Sequence, residues 1–294
     1  MIYKKMQMEN LHGGFTNYKC NLNKDVFLRK IYLTKQIKIY IRLLWDCNHS
    51  CENCIHFCPV AKQLDKSVQY TVEDLENTFK IISKYPDIDT LTEILLGGGE
   101  PLLIPNIVEY MEVTRKYFPK ILITIPTNGI ALPNMDDNFY KSAEKYNITI
   151  RISDYPTINK STIKKFLKEK AYKCEIIFLP KTFFCDFRLH SEPIKQEKDF
   201  LCNAPEEGFF LDNYRITKCP ILYNIDIINK FYGTNYINQN SAWLDVREAK
   251  QMKDLENIFK PNSLCAFHKN QFVNYKNFSN NFSYIINNKE NEVL

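Results

Sequence analysis

Between residues 37 and 179, short apolar segments alternate with longer amphipathic ones, and this alternation constrains the fold more than any other feature of the sequence. Short strands that alternate with helices form parallel βαβ units. The predicted strands are Ile37–Trp45, Leu91–Leu96, Ile121–Ile125, Ile148–Ile152 and Glu175–Leu179, and helices are predicted after Thr71 as far as Pro86 and over Pro105–Tyr117, Asp136–Tyr146 and Lys160–Lys170. The sequence therefore predicts an α/β chain that forms a partial (β/α)6 TIM-like barrel.

Residues able to bind ligands follow each predicted strand. The first strand leads into a loop that holds Cys47, Cys51 and Cys54, and the second ends at Gly97-Gly98-Gly99-Glu100-Pro101. The next two end at Thr127-Asn128-Gly129 and at Ser153-Asp154-Tyr155-Pro156. Because the carboxyl ends of parallel barrel strands share one rim, we expect these groups around a common mouth.

The cysteine loop has the spacing C-x3-C-x2-C, with Cys58 four residues further on. Three thiolates at this spacing can hold an iron–sulfur cube and leave one iron free, whereas four would close a tetrahedral zinc site. In the zinc alternative, Cys58, His49 or His56 completes the set. A compact loop at a barrel mouth is a poor place for a structural zinc ion, which usually lies between two separated C-x2-C pairs.

The composition limits the partners and the compartment. The N-terminus lacks the apolar core of a signal peptide, and no apolar run reaches the roughly 18–20 residues that span a bilayer. We therefore expect a cytoplasmic protein with no membrane partner, in which ten cysteines serve metal or redox chemistry and not disulfides. The net charge of +5 is spread along the chain without dense clusters, so a nucleic-acid partner has no support, and an anionic cofactor or substrate is an equally good reason for the excess.

Three motifs in this order on successive strand ends resemble the radical S-adenosylmethionine (SAM) superfamily. They are the C-x3-C-x2-C loop, Gly98-Gly99-Glu100-Pro101 and Thr127-Asn128-Gly129, and the resemblance covers about residues 36–180. It implies that Cys47, Cys51 and Cys54 ligate a [4Fe–4S] cluster whose free iron binds SAM. Reductive cleavage of SAM would then yield a 5′-deoxyadenosyl radical that abstracts hydrogen from an organic substrate.

The resemblance also implies a cofactor site on the same rim. Gly98, Gly99 and Glu100 would receive the methionine amino group, and Asn128 and Ser153 would contact the ribose or the carboxylate. The residue before the third cysteine is often aromatic in the family but is Asn53 in this chain. Cys58 is expected to be a buried bystander, because a fourth cysteine ligand would block SAM.

The later cysteines resemble a shortened auxiliary-cluster module of the SPASM or twitch type. Cys202, a hairpin through Leu211–Arg215, Cys219-Pro220 and Cys265 follow that pattern, with His268 in the place of the usual last cysteine. Three cysteines together with His268, or with Cys185, could hold a second [4Fe–4S] cluster. The alternative is a metal-free module in which these cysteines only pack.

We therefore divide the chain into an N-terminal extension (1–35), a radical SAM core (36–180), the end of the barrel with a cysteine-containing module (181–268) and a C-terminal tail (269–294). The tail is rich in Asn and Lys and is predicted to be partly disordered or a late helix. The expected substrate is a small metabolite such as a sugar or nucleotide sugar, and a flavodoxin or ferredoxin would donate electrons. One alternative is a peptide substrate that is epimerised or cross-linked, and a peptide epimerase would need a hydrogen-donating thiol such as Cys185 or Cys219. The other is a non-catalytic zinc protein.

Overall fold

The computed structural model describes residues 37–65, 70–181, 183–194, 208–236, 242–258, 263–268, 272–274, 276, 277, 279 and 283–286. The chain divides into a unit of Met1–Lys35, which lies outside the described residues, and a unit of Gln36–Leu294. The second unit contains all the elements described below.

The predicted βα series is confirmed from the first strand to the fifth. The strands are β1 (Ile37–Leu44), β2 (Leu91–Gly98), β3 (Leu122–Thr127), β4 (Ile148–Asp154) and β5 (Glu175–Pro180), and the helices are α1 (Cys58–Gln63), α2 (Val72–Ile82), α3 (Ile107–Tyr117), α4 (Asp137–Lys145) and α5 (Lys160–Lys170). Helix α2 begins with the predicted capping box, in which Thr71 and Asp74 each accept a hydrogen bond from the other's backbone amide. Helix α1, which starts at Cys58, was not predicted, because it is too short to show a periodic pattern.

The chain beyond β5 adds short elements. These are β6 (Phe183–Cys185), β7 (Leu189–His190), β8 (Phe209–Asp212), β9 (Arg215–Thr217), α6 (Pro220–Tyr223), α7 (Ile225–Tyr232), β10 (Trp243–Asp245), β11 (Phe272–Asn274) and β12 (Ile285–Ile286). Strands β8 and β9 pair antiparallel and form the predicted hairpin, with Asn213 in the left-handed region at φ 52° in its turn.

The main sheet has the order β10-β9-β8-β1-β2-β3-β4-β5 and is not closed. Strand β8 pairs parallel with β1, so the sixth parallel strand lies at the β1 edge and not beyond β5. Gly208 makes this approach possible, because a Cβ there would lie 2.8 Å from the carbonyl oxygen of Lys38. The α/β class and a sheet of six parallel strands are thus as predicted, with a hairpin and β10 extending one edge.

The two faces of the parallel sheet differ in chemistry. Successive side chains of a strand point to opposite faces. Ile39, Ile94, Ile123 and Ile150 belong to the buried core beneath the helices. The alternate positions face the inner side of the sheet and are largely polar, namely Tyr40, Arg42, Glu93, Thr124, Arg151 and Ser153. The inner face therefore forms a polar lumen.

A second apolar cluster lies beneath the cysteine loop. It joins Phe57 and Val60 to Leu189, Ile228 and Tyr284. The predicted C-terminal tail contributes to this cluster: its described residues include two strands and the fully buried Tyr284, and no helix. These described residues contain no late helix, and the rest of residues 269–294, on which the prediction of partial disorder also falls, lies outside the described residues.

None of the helices in the described part of the chain has both the length and the apolar character needed to cross a bilayer.

Candidate functional site

The predicted strand-end groups meet at one cavity. It lies at the carboxyl ends of β1 to β4. The predicted residues on its wall are Cys47, Cys51, Cys54, Gly98, Gly99, Asn128 and Ser153. The expectation of a common mouth at the rim is therefore met, because parallel strands carry their terminal turns to the same edge.

The Cys58 thiol lies at this cavity as well. Cys51 and Cys58 are buried, and Cys47 and Cys54 are partly exposed. Cys58 hydrogen-bonds Cys54, which lowers the pKa of the Cys54 thiol, whereas the same contact and burial raise the pKa of Cys58. Burial, followed by the nearby Cys54, raises the pKa of Cys47 to about 12. The surroundings of Cys47 therefore disfavour its thiolate unless a bound cation stabilises it.

The structure gives a reason why the residue before Cys54 is Asn53 and not an aromatic residue. Asn53 lies in the left-handed region at φ 55°, which asparagine tolerates better than most residues. Its side-chain oxygen accepts a hydrogen bond from the backbone amide of Phe187 at 3.2 Å. Asn53 thus ties the cysteine loop to the segment between β6 and β7, a contact that an aromatic side chain could not make.

The glycine turn lies against the start of the cysteine loop. Gly99 donates to the carbonyl of Leu44 at 2.8 Å, and Glu100 donates to the carbonyl of Asp46 at 2.8 Å. A Cβ on Gly99 would lie 2.0 Å from that Asp46 oxygen, and Gly98 has a φ of +124°. Only glycine fits these two positions, and their backbone forms part of the cavity wall.

The Glu100 side chain joins two motifs from behind the wall. It is completely buried and accepts hydrogen bonds from the Thr127 hydroxyl at 2.6 Å and from the Asn128 amide at 2.8 Å. A third comes from the Leu102 amide at 3.1 Å. Burial raises the pKa of the Glu100 carboxyl group to about 7, although these hydrogen bonds act to lower it. The turn therefore presents Gly98 and Gly99 to the cavity, while the carboxylate holds the Thr127-Asn128-Gly129 turn in place.

Asn128 and Ser153 complete the predicted set. The Asn128 side-chain nitrogen donates to the Asn48 side chain at 2.7 Å and lies 4.0 Å from the Cys47 sulfur. Ser153 contributes a side-chain hydrogen bond to Tyr155. The Tyr155 ring packs against His49, with 5.0 Å between ring centroids. The cysteine loop is therefore linked to the ends of both β3 and β4.

Several further residues form the wall of the cavity. Tyr40, Arg151 and Lys181 were missed in the sequence, whereas Cys185 and His56 were named there only as alternative metal ligands or, for Cys185, as a hydrogen donor. Burial and the nearby Arg42 charge lower the pKa of His56 to about 3, so its ring is neutral. Arg151 is a charged residue within an otherwise apolar strand. This was the one signal in the sequence that could have indicated the polar lumen.

The residues predicted for an auxiliary cluster have other contacts. The Cys219 sulfur caps helix α6 by accepting from the Leu222 amide at 3.4 Å. The His268 ring contacts the Asp186 carbonyl at 2.5 Å, and Cys265 lies in the turn just before it. Cys202 lies outside the described residues. Across the described ranges, no three His, Cys, Asp or Glu side chains are grouped as ligands of a single metal ion.

Comparison with known proteins gives a partial match in sequence. No family model matches the sequence. A GTP 3',8-cyclase of Trichodesmium erythraeum (strain IMS101) is 28% identical over 123 residues, which cover 40% of this chain and 36% of that protein. This match agrees with the resemblance of the three strand-end motifs to the radical SAM superfamily. The chain thus spans little more than a third of that relative.

Three solved structures give weaker likenesses. BtrN in complex with AdoMet and 2-DOIA has a TM-score of 0.48 at 14% identity, over 75% of this chain and 83% of that one. A polyhistidine-tagged anSMEcpe with bound AdoMet has a TM-score of 0.39 at 14% identity, over 79% of each chain. Streptococcus suis SuiB bound to precursor peptide SuiA has a TM-score of 0.35 at 13% identity, over 85% and 75%.

Proposed function

We propose that this protein is a radical SAM enzyme acting on a small anionic substrate. The observation that carries the proposal is that Cys47, Cys51 and Cys54 share one cavity with the backbone of Gly98 and Gly99. An all-thiol donor set suits an iron–sulfur cluster. The raised pKa of Cys47 means that its thiolate needs a stabilising cation, and iron would supply one.

The residues of the cavity would position the cofactors. When bound, the [4Fe–4S] cluster and SAM supply an electron and a 5′-deoxyadenosyl radical able to remove hydrogen from a C–H bond. Cys47, Cys51 and Cys54 would hold the cluster, and Gly98 and Gly99 would let the methionine end approach the backbone. Asn128 and Ser153 would offer hydrogen bonds from the ends of β3 and β4.

The charge of the cavity supports an anionic substrate. Arg151 and Lys181 lie on its wall. The Arg151 guanidinium lies 3.7 Å from the Glu93 carboxylate, which also pairs with Lys38 at 3.2 Å. Since one carboxylate is shared by two cations, positive charge exceeds negative charge in this part of the lumen. A phosphate or carboxylate on the substrate would balance this excess.

The position of Cys185 favours the peptide alternative. Its thiol lies at the same cavity, where it could return a hydrogen atom to a substrate radical. A Cys185→Ala variant separates the two alternatives. For a peptide epimerase it would abolish epimerised product without affecting SAM cleavage, whereas for a small-molecule enzyme that needs no hydrogen donor, turnover would persist.

We also propose that residues 181–268 form the shortened auxiliary module, with a second cluster held by Cys202, Cys219, Cys265 and His268, or with Cys185 in the set. The order of Cys202, Cys219-Pro220, Cys265 and His268 along the chain supports it. Electrons would come from a flavodoxin or ferredoxin. Anaerobic reconstitution would then give about eight irons per chain, and about four would mean one cluster.

One experiment tests the enzyme proposal. The protein is reconstituted anaerobically with iron and sulfide, and 5′-deoxyadenosine is measured after addition of dithionite and SAM. Iron uptake with formation of 5′-deoxyadenosine is expected. Stoichiometric zinc without iron uptake or SAM cleavage would overturn the proposal in favour of a zinc protein.

A further inference from the structure

Two residues of the cavity have side-chain nitrogens that lack a hydrogen-bond partner. In the described part of the chain, the buried side-chain atoms without a partner are Nδ1 and Nε2 of His56 and Nε of Arg151. Both residues lie on the wall of the cavity that the three cysteines share. A buried polar group left unpaired destabilises the folded state, so such groups are rare without a function.

The surroundings of His56 prevent its ring from reaching bulk water. The residue is 3% exposed, and its carbonyl accepts a hydrogen bond from the Trp45 indole at 3.1 Å. Its ring packs against Tyr40, with centroids 5.0 Å apart. The nearby Arg42 guanidinium lies over the Trp45 ring at 3.9 Å, which closes that side. A partner for the His56 ring must therefore come from the cavity.

The position of the two residues separates them from the predicted SAM contacts. Gly98, Gly99 and Asn128 lie in turns at the strand ends, whereas Tyr40 lies in the middle of β1, beside Leu95 of β2. Arg151 lies two positions before Ser153 on β4 and extends toward Glu93. His56 and Arg151 therefore line the inner part of the lumen, where a substrate would lie next to the cofactor.

The chemistry of these nitrogens specifies what would fit. A neutral imidazole has one hydrogen-bond donor and one acceptor, and a hydroxyl group matches both. A guanidinium only donates, so Arg151 suits a phosphate, carboxylate or other acceptor oxygen. We propose that His56 is a substrate-binding residue whose ring hydrogen-bonds a hydroxyl group of an anionic small molecule, with Arg151 contacting an acceptor oxygen of the same molecule. This inference rests on the proposed function.

Binding of defined probes tests the inference. Cluster-loaded, SAM-bound protein is titrated calorimetrically with glucose 6-phosphate and UDP-glucose, and with glucose and inorganic phosphate as their separate parts. We expect at least one of the two hydroxyl-bearing anions to bind more tightly than either part. His56→Phe should weaken that binding about tenfold, the effect of losing one good hydrogen bond. His56→Asn, which keeps a donor and an acceptor, should recover part of it.

Stability of the cofactor-free protein gives a second readout. Phe in place of His56 removes two unpaired buried nitrogens, so the melting temperature should stay equal or rise by about 2–4 °C. His190→Phe, a histidine outside the cavity, serves as the control and should leave probe binding unchanged. A fall in melting temperature with unchanged probe binding would mean that His56 only packs.

The outcomes distinguish this inference from the proposed function. If wild-type protein takes up iron and forms 5′-deoxyadenosine but binds neither anion, or if His56→Phe binds them as tightly as wild type, the inference is wrong and the proposed function stands. If wild-type protein takes up no iron and does not cleave SAM, the proposed function itself fails.

Discussion

The phenolic oxygen of Tyr284 accepts a hydrogen bond from the backbone amide of Cys54 at 3.0 Å, across 230 residues of sequence. The Tyr284 ring also packs on Phe57, with centroids 4.2 Å apart. Nearby, the Glu52 amide donates to the carbonyl of Lys276 at 2.9 Å. The C-terminal residues therefore support the cysteine loop directly.

Replacing Tyr284 by Phe should loosen the cysteine loop without disturbing its packing. The variant keeps the ring on Phe57 but leaves the Cys54 amide unpaired, so the free energy of unfolding should fall by about 1 kcal/mol. Iron should also be lost to a chelator several-fold faster than from wild type. Tyr236→Phe is the matched control, because the Tyr236 hydroxyl donates to the His190 carbonyl at 2.8 Å, away from the loop. Equal iron loss from both variants would contradict a specific role for Tyr284.

The four cysteines of the loop should differ in their effect on iron binding. Ala at Cys47, Cys51 or Cys54 removes a proposed ligand and should abolish iron uptake and SAM cleavage. Cys58→Ala removes a hydrogen bond to Cys54 and should retain the cluster. Iron and sulfide analysis with EPR of the reduced protein measures both. Loss of the cluster in Cys58→Ala would mean that Cys58 is a ligand.

A methyl group at Gly99 should displace the glycine turn. Its Cβ would lie 2.0 Å from the Asp46 oxygen and 2.7 Å from the Trp45 oxygen, both of which belong to the backbone. Overpacking against the backbone predicts a loss of about 2 kcal/mol or more in unfolding free energy for Gly99→Ala. Gly233→Ala is the control: nothing lies within 4 Å, and only its φ of +64° opposes the substitution, so about 1 kcal/mol is expected. Denaturant unfolding of the cofactor-free variants compares the two.

Glu100 should make the cofactor-free protein less stable as the pH rises. Burial raises its pKa from an ordinary 4.5 to about 7, so the folded state binds a proton more tightly than the unfolded state. Stability is then greatest below about pH 4.5 and falls as the pH rises to about 7, by roughly 3 kcal/mol for this group alone.

Glu100→Gln should flatten this part of the pH profile, since an amide does not titrate. The comparison is the free energy of unfolding at several pH values between 4.5 and 8, with the exposed Glu73→Gln as a control that keeps the wild-type slope. Parallel profiles for wild type and Glu100→Gln would show that the carboxylate is not the titrating group.

Local patterns were sufficient for the elements and for the grouping of residues at the strand ends. The alternation at Ile37–Leu44 and the box at Thr71 and Asp74 depend on neighbours in sequence, so the strand and the helix start could both be predicted. The position of Cys47, Gly98 and Asn128 at one rim followed from the geometry of parallel strands alone. The site was therefore predictable wherever a motif directly follows a strand.

Contacts between distant segments could not be predicted. Such contacts join residues that share no local signal in the sequence. Examples are the pairing of β8 with β1, the hydrogen bond from the Cys54 amide to Tyr284, and the contacts of Glu100, which is buried behind its own turn. The same holds for His56, whose unpaired nitrogens appear only when Tyr40 and Arg42 close around it. The amino-acid pattern determined the α/β class, the ends of the strands and the position of the cysteine loop after the first strand. These follow from the periodicity of apolar residues along the backbone. Tertiary packing decided which side chains support the loop and which face the lumen, because burial and hydrogen bonding depend on neighbours brought together by folding.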